Sequence, residues 1–147
     1  MKTYLATDHR GYELKEKIKT WLSEWGYEYE DCGAFKYDEN DDYPDFVKKA
    51  AEKVSQDPES SKAIILGVSG QGEAMVANRY KGVRAAVYYG NSDEIIKLSR
   101  EHNNANVLSL GAGFLDEETA KKSIKLWLEI KFSGEERHRR RITKIDA

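Results

Sequence analysis

The chain holds a single cysteine and two prolines among 147 residues, and no apolar run approaches the ~20 residues of a membrane-spanning helix. One thiol, Cys32, excludes an internal disulfide and a cysteine-rich zinc site, and it suits a reducing compartment. Net charge is nearly absent too: 24 Lys and Arg stand against 26 Asp and Glu, a formal charge of −2. That balance argues against non-specific nucleic-acid binding. The first residues, MKTYLATDHRGYELK, lack the apolar centre of a signal peptide. The expectation is a soluble cytoplasmic protein with no membrane or nucleic-acid partner. Its length suits one domain, residues 1–147, around one core.

What the chain does have is alternation. TYLAT (3–7) is followed by Leu14, Ile18, Trp21, Leu22 and Trp25, the stripe of an amphipathic helix, and Gly26 supplies its stop. YEYEDC (27–32) alternates tyrosines with acids, as a half-exposed edge strand does. Beyond an acidic loop, Phe46, Val47, Ala50, Ala51 and Val54 mark a second helix, with Pro44 in its first turn. AIILGV (63–68) is continuously apolar, the pattern of a central parallel strand covered on both faces. A helix over 73–80, a strand RAAVYY (84–89) and a helix capped by Ser92 come next. A strand NVLSL (106–110) and a final long helix capped by Asp116 complete the series. The closing SGEERHRRRITKIDA (133–147) is too polar for a core, and is expected to lie on the surface or on a partner. Five β-then-α units predict a three-layer α/β/α sandwich on a Rossmann-like, five-stranded parallel sheet.

In such sheets ligands bind beyond the carboxyl ends of the strands. Two motifs sit there: Asp8-His9 after the first strand, and GVSGQGE (67–73) after the third. The glycine loop is neither a complete dinucleotide fingerprint nor a P-loop. It reads as a tight packing turn, or as an anion nest in which N–H groups of Ser69, Gly70, Gln71 and Gly72 face developing negative charge. Asp8 reads equally as a helix N-cap. His102-Asn103 follow a helix whose carboxyl end would stabilise a histidine without further function. Arg137 and Arg141 are four apart, so on a helix they would face one way and could hold one phosphate; a solvated basic face is the ordinary alternative. The three histidines, His9, His102 and His138, match no zinc spacing, so no metal is expected.

Taken in order, D-H-x-G-Y-E-L-K, D-Y-P (42–44), G-x-S-G-x-G-E-x-x-x-A-N (67–78), H-N-N-A-N (102–106) and G-E-x-R-H-x-x-R (134–141) resemble the type B ribose-5-phosphate isomerases. That family also includes galactose- and allose-6-phosphate isomerases. The resemblance implies strand order 2-1-3-5-4, a homodimer or tetramer, a sugar phosphate as substrate and no cofactor. One branch of the family uses a cysteine at the end of the third strand as base; that place is Gly67 here. The other branch uses a glutamate after the loop, which implies Glu73 as the base and the nest as holder of an enediolate. By the same resemblance His102 assists ring opening with Asp8 as counterpart base. Val68, Ser69, Gly70, Gln71, Gly72 and Asn103 contact the sugar, and His9, Arg137 and Arg141 hold the phosphate. Relatives commonly carry an arginine after the fifth strand where this chain has Gly113. A non-catalytic sugar-phosphate binder on the same fold is the competing expectation.

Overall fold

A computed structural model describes all 147 residues. Five strands, β1 (Lys2–Thr7), β2 (Glu28–Asp31), β3 (Ser61–Gly67), β4 (Ala85–Tyr88) and β5 (Val107–Gly111), form one sheet in the order β2-β1-β3-β5-β4. Every pairing is parallel. The expected order is therefore the observed one, with β3 central and β2 at an edge.

Helices cover both faces, and the period-two alternation of β3 shows why they must. Ile64 and Leu66 join Leu5, Leu108 and Leu110 in a core closed by α1 (Tyr12–Glu24), α4 (Asp93–Glu101) and α5 (Glu117–Glu129). Ala63 and Ile65 face the other way, into a core closed by α2 (Pro44–Gln56) and α3 (Gln71–Ala77). The first core takes the large side chains Ile18, Trp21, Leu22, Ile124 and Trp127, and the second takes mainly Ala and Val. Each large apolar side chain fully buried contributes about 1.5–3 kcal/mol. Ser92 and Asp116 cap α4 and α5 as expected, accepting from Glu94 N at 3.2 Å and Thr119 N at 2.7 Å.

The structure corrects the expectation at one place and adds a helix at another. The helix after the glycine loop begins at Gln71, two residues before Glu73, because Gly70 turns the chain at φ 78°. The polar tail, expected on the surface or on a partner, folds as a sixth helix, α6 (Glu136–Asp146). Little apolar surface holds α6. Asp146 pairs with Arg84 at 2.9 Å, Ser133 N donates to Glu101 O at 3.1 Å, and His138 is buried.

One charge is buried deeply. Lys15, fully enclosed in α1, donates to Asp31 Oδ1 at 2.7 Å and to the Ala34 carbonyl at 2.5 Å. These bonds tie the end of β2 to the loop that follows, whose far end reaches the site. No helix is long and apolar enough to cross a membrane.

Candidate active site

The strand order changes direction between β1 and β3, whose carboxyl ends lie side by side with Thr7 opposite Leu66. Such a switch point leaves a crevice. Asp8 follows β1 and the glycine loop follows β3, so the fold brings these two sequence motifs together.

Glu73 points back from the first turn of α3 over the end of β3 and is only 4% exposed. A Cβ built on Gly67 would overlap its carboxylate, so the missing side chain is what gives that carboxylate its seat. Burial pushes the Glu73 carboxyl above the usual range, and the charge of Asp8 pushes it the same way. Asp8, 7% exposed, is itself raised by burial, while a bond from Arg10 N–H to its Oδ1 at 2.9 Å opposes the rise. The capping reading of Asp8 is thus correct for the short 3-10 turn His9–Gly11, and its charge also raises the proton affinity of Glu73. Two carboxyls with raised proton affinity are suited to moving protons near neutral pH.

The loop is bound closely to β5. Ser109 Oγ donates to the Gly70 carbonyl at 2.6 Å, and Gly113 N donates to Val68 O at 2.9 Å. A Cβ at Gly111 would lie 2.8 Å from Ser69 O. Neither Ser69 N–H nor Gly70 N–H makes a backbone hydrogen bond, and Gly72 N–H belongs to the unpaired first turn of α3. The arrangement leaves donors beside a buried carboxylate. Gln71 N–H is used locally, on Ser69 Oγ at 3.3 Å, and Val68 is exposed at the loop's start. At Gly113 a Cβ would stand 3.0 Å from Val68 O and 3.1 Å from Val68 Cγ1, so any side chain there presses on the loop.

Two residues missing from the sequence-based set also face this end. Asp41 Oδ1 accepts from His9 N at 3.0 Å and lies 2.7 Å from His9 Nδ1, which fixes the ring and leaves Nε2 for a ligand. Tyr43 occupies the space that a side chain at position 72 would fill. The D-Y-P motif was the signal for Tyr43; Asp41 lay unmarked in an acidic loop. Asp8, His9 and Asp41 offer donor atoms within 4.8 Å of one another, the chain's one cluster with metal-ligand chemistry. There His9 Nδ1 is already engaged by Asp41.

His102, Asn103, Arg137 and Arg141 are not in this crevice. His102 closes α4, and β5 begins five residues later with Val107 opposite Ala63, at the amino end of the sheet. A strand the length of β3, about 20 Å at ~3.3 Å per residue, separates that end from Glu73. The neighbouring motif residues are structural. Asn104 turns the chain at φ 46°, and Asn106 Oδ1 accepts from Arg84 N at 2.8 Å while its Nδ2 donates to Gly82 O at 2.9 Å. Asn103 is left exposed beside a cleft of about 780 Å³ that Arg79, Arg84 and Asp146 also line. Arg137 and Arg141 project from α6 into solvent; the only ion pair of Arg137 is a 3.6 Å approach to Glu135.

Comparison with known proteins agrees with this fold. Residues 3–145 match the family model described as Ribose/Galactose Isomerase. Ribose-5-phosphate isomerase B of Mycolicibacterium paratuberculosis is 41% identical over 142 residues, covering 97% of this chain and 87% of that protein. The crystal structure of ribose-5-phosphate isomerase B from Mycoplasma genitalium with bound ribulose-5-phosphate superposes with a TM-score of 0.94 at 37% identity, over 99% of this chain and 93% of that one. The Clostridium thermocellum enzyme gives 0.92 at 38%, over 99% and 95%. The chain belongs to the ribose/galactose isomerase family.

Proposed function

We propose that this chain interconverts ribose 5-phosphate and ribulose 5-phosphate by moving one proton between C2 and C1 through a cis-enediolate. The observation that carries the reading is the buried Glu73 carboxylate, seated on Gly67 beside free loop N–H groups. A pure anion binder gains nothing from a carboxylate there; an enediolate isomerase needs a base and an anion hole side by side. Relatives named as ribose-5-phosphate isomerases, and the ribulose-5-phosphate bound in one of them, support the same substrate.

The reaction begins with ring opening. His102 gives a proton to the ring oxygen while Asp8 takes the proton of the C1 hydroxyl, leaving the open-chain aldehyde. Glu73 then removes the C2 proton. Charge moves onto the carbonyl oxygen, where the N–H groups of Ser69, Gly70 and Gly72 and the Ser69 hydroxyl stabilise it. Transfer of a proton between the two enediolate oxygens and return of the Glu73 proton to C1 gives the ketose. His9, held by Asp41, together with Arg137 and Arg141 receives the phosphate, whose binding positions C1 and C2. This proton chemistry calls for no cofactor.

One copy separates these groups by a strand length, so a second copy completes the site. In the proposed homodimer the neighbour supplies His102, Asn103, Arg137 and Arg141 to the crevice that holds Glu73 and Asp8. Further pairing into a tetramer is compatible with that arrangement. Assay of five- and six-carbon aldose phosphates for ketose formation tests the substrate reading: ribose 5-phosphate is expected to turn over fastest. A clear preference for a galactose or allose 6-phosphate would contradict it.

A further inference from the structure

We propose that His138 is a positioning residue for the ring-opening step, holding the His102 imidazole in place by stacking against it. The two rings lie 4.1 Å apart between centroids and 18° from parallel. His138 is 3% exposed although it sits on an otherwise solvated helix, and its Nε2 is buried without a hydrogen-bond partner. Glu135 Oε2 approaches it to 3.4 Å without completing a bond. A buried imidazole lacking a polar partner contributes through its ring face, and the only ring it faces is His102.

His102 needs that support. It is the C-cap residue just beyond α4, its own N–H donating to Leu98 O at 3.1 Å, and no hydrogen bond holds its ring. A free imidazole there samples several rotamers; a stacked one is held in a single plane. Burial lowers the proton affinity of His138, as do His102 from α4 and Arg137 and Arg141 from α6, while Glu135 opposes them. A neutral His138 can lie against a His102 that carries the proton, whereas two imidazolium rings at this separation would repel. The stack also ties the ring-opening residue to the helix bearing both arginines. The fastening of α6 does not depend on it alone, because Arg84 holds Asp146 and Ser133 N holds Glu101 O.

The inference rests on the isomerase reading, and its test separates the two. Ribose 5-phosphate enters as a furanose, but ribulose 5-phosphate is open-chain, since its C5 oxygen carries the phosphate. Solvent deuterium exchange at C1 of ribulose 5-phosphate therefore reports proton transfer without ring opening. In the His138→Ala protein, forward turnover of ribose 5-phosphate is expected to fall about 10–100-fold, the scale of a misplaced catalytic group, with C1 exchange changed less than about threefold. His138→Phe keeps an aromatic face without titratable nitrogens and is expected to restore most of the forward rate. Equal loss of exchange and turnover in His138→Ala, failure of His138→Phe to restore the rate, or unchanged turnover in His138→Ala would each overturn the role. Absence of C1 exchange in the unsubstituted protein would instead strike the isomerase reading itself.

Discussion

The carboxylate of Glu73 occupies the volume into which a side chain at Gly67 would project. The family resemblance implies a cysteine base at position 67 in another branch, a place whose side-chain volume is taken here by Glu73. A side chain at one position excludes the other. Gly67→Ala is expected to leave the fold intact, since the methyl group displaces a side chain and not backbone, but to push the proposed base, Glu73, off its target. Turnover should fall about 10²-fold, as a displacement near 1 Å does elsewhere. Circular dichroism and steady-state rates on the purified variant check both parts.

The two carboxyls at the switch point make the acid limb of the pH profile diagnostic. As the proposed base Glu73 must be ionised to take the proton, and burial followed by the Asp8 charge raises its proton affinity. Activity should rise with pH through that raised value. Asp8→Asn removes the like charge, so the limb should move to lower pH even though ring opening is impaired and the plateau falls. A limb that stays in place would show that Glu73 does not set it.

Cys32 provides a control. Burial pushes its thiol up to about 11, with Glu30 and Asp31 adding to the rise, and the side chain is enclosed beneath α2. Iodoacetamide should modify the native protein very slowly at pH 8 and the denatured protein fast, while native activity persists. Rapid inactivation by alkylation would implicate the thiol in the chemistry.

Much of this was readable beforehand because burial imposes a period. The continuous apolar run of β3, the helical stripes and the caps at Ser92 and Asp116 each follow from a local rule, and each element formed as expected. The tail gave no such signal. Its helix has almost no apolar face, and its attachments are an ion pair, a backbone bond and a ring stack to residues that only the fold brings near. Asp41 was hidden for a related reason: it lies 32 residues from His9, within a run of acids that looks like any solvated loop. Motif residues were legible as a set but not as roles. Asn104 and Asn106 hold the backbone, while Asn103, which precedes them, is exposed.

The phosphate clamp and the shared site are tested together. In the proposed clamp Arg137 and Arg141 would each contribute about 1.5–3 kcal/mol through charge-assisted hydrogen bonds to a dianion, so removing either should weaken a phosphorylated enediolate mimic roughly 10–150-fold. Inactive Glu73→Gln and inactive His102→Ala subunits, allowed to exchange, should regain partial activity in hybrid dimers, because one of the two sites is then intact. Unchanged mimic affinity would return the arginines to the solvated-face reading. Exchange without recovered activity would mean that each chain uses its own His102.

The most direct measurement is on Glu73→Gln. The amide keeps the shape of the side chain but cannot accept a proton, so turnover of ribose 5-phosphate should fall by roughly 10²–10⁴ while mimic affinity is nearly kept. Stability should move the other way. A carboxyl whose proton affinity is higher in the folded than in the unfolded chain contributes stability below the unfolded value and loses it as pH rises through the folded one. At neutral pH the native Glu73 therefore costs stability, and the Gln variant should melt at a higher temperature. A slow, tightly binding and more heat-resistant variant is the predicted result; one that retains more than half the original turnover would contradict Glu73 as the base.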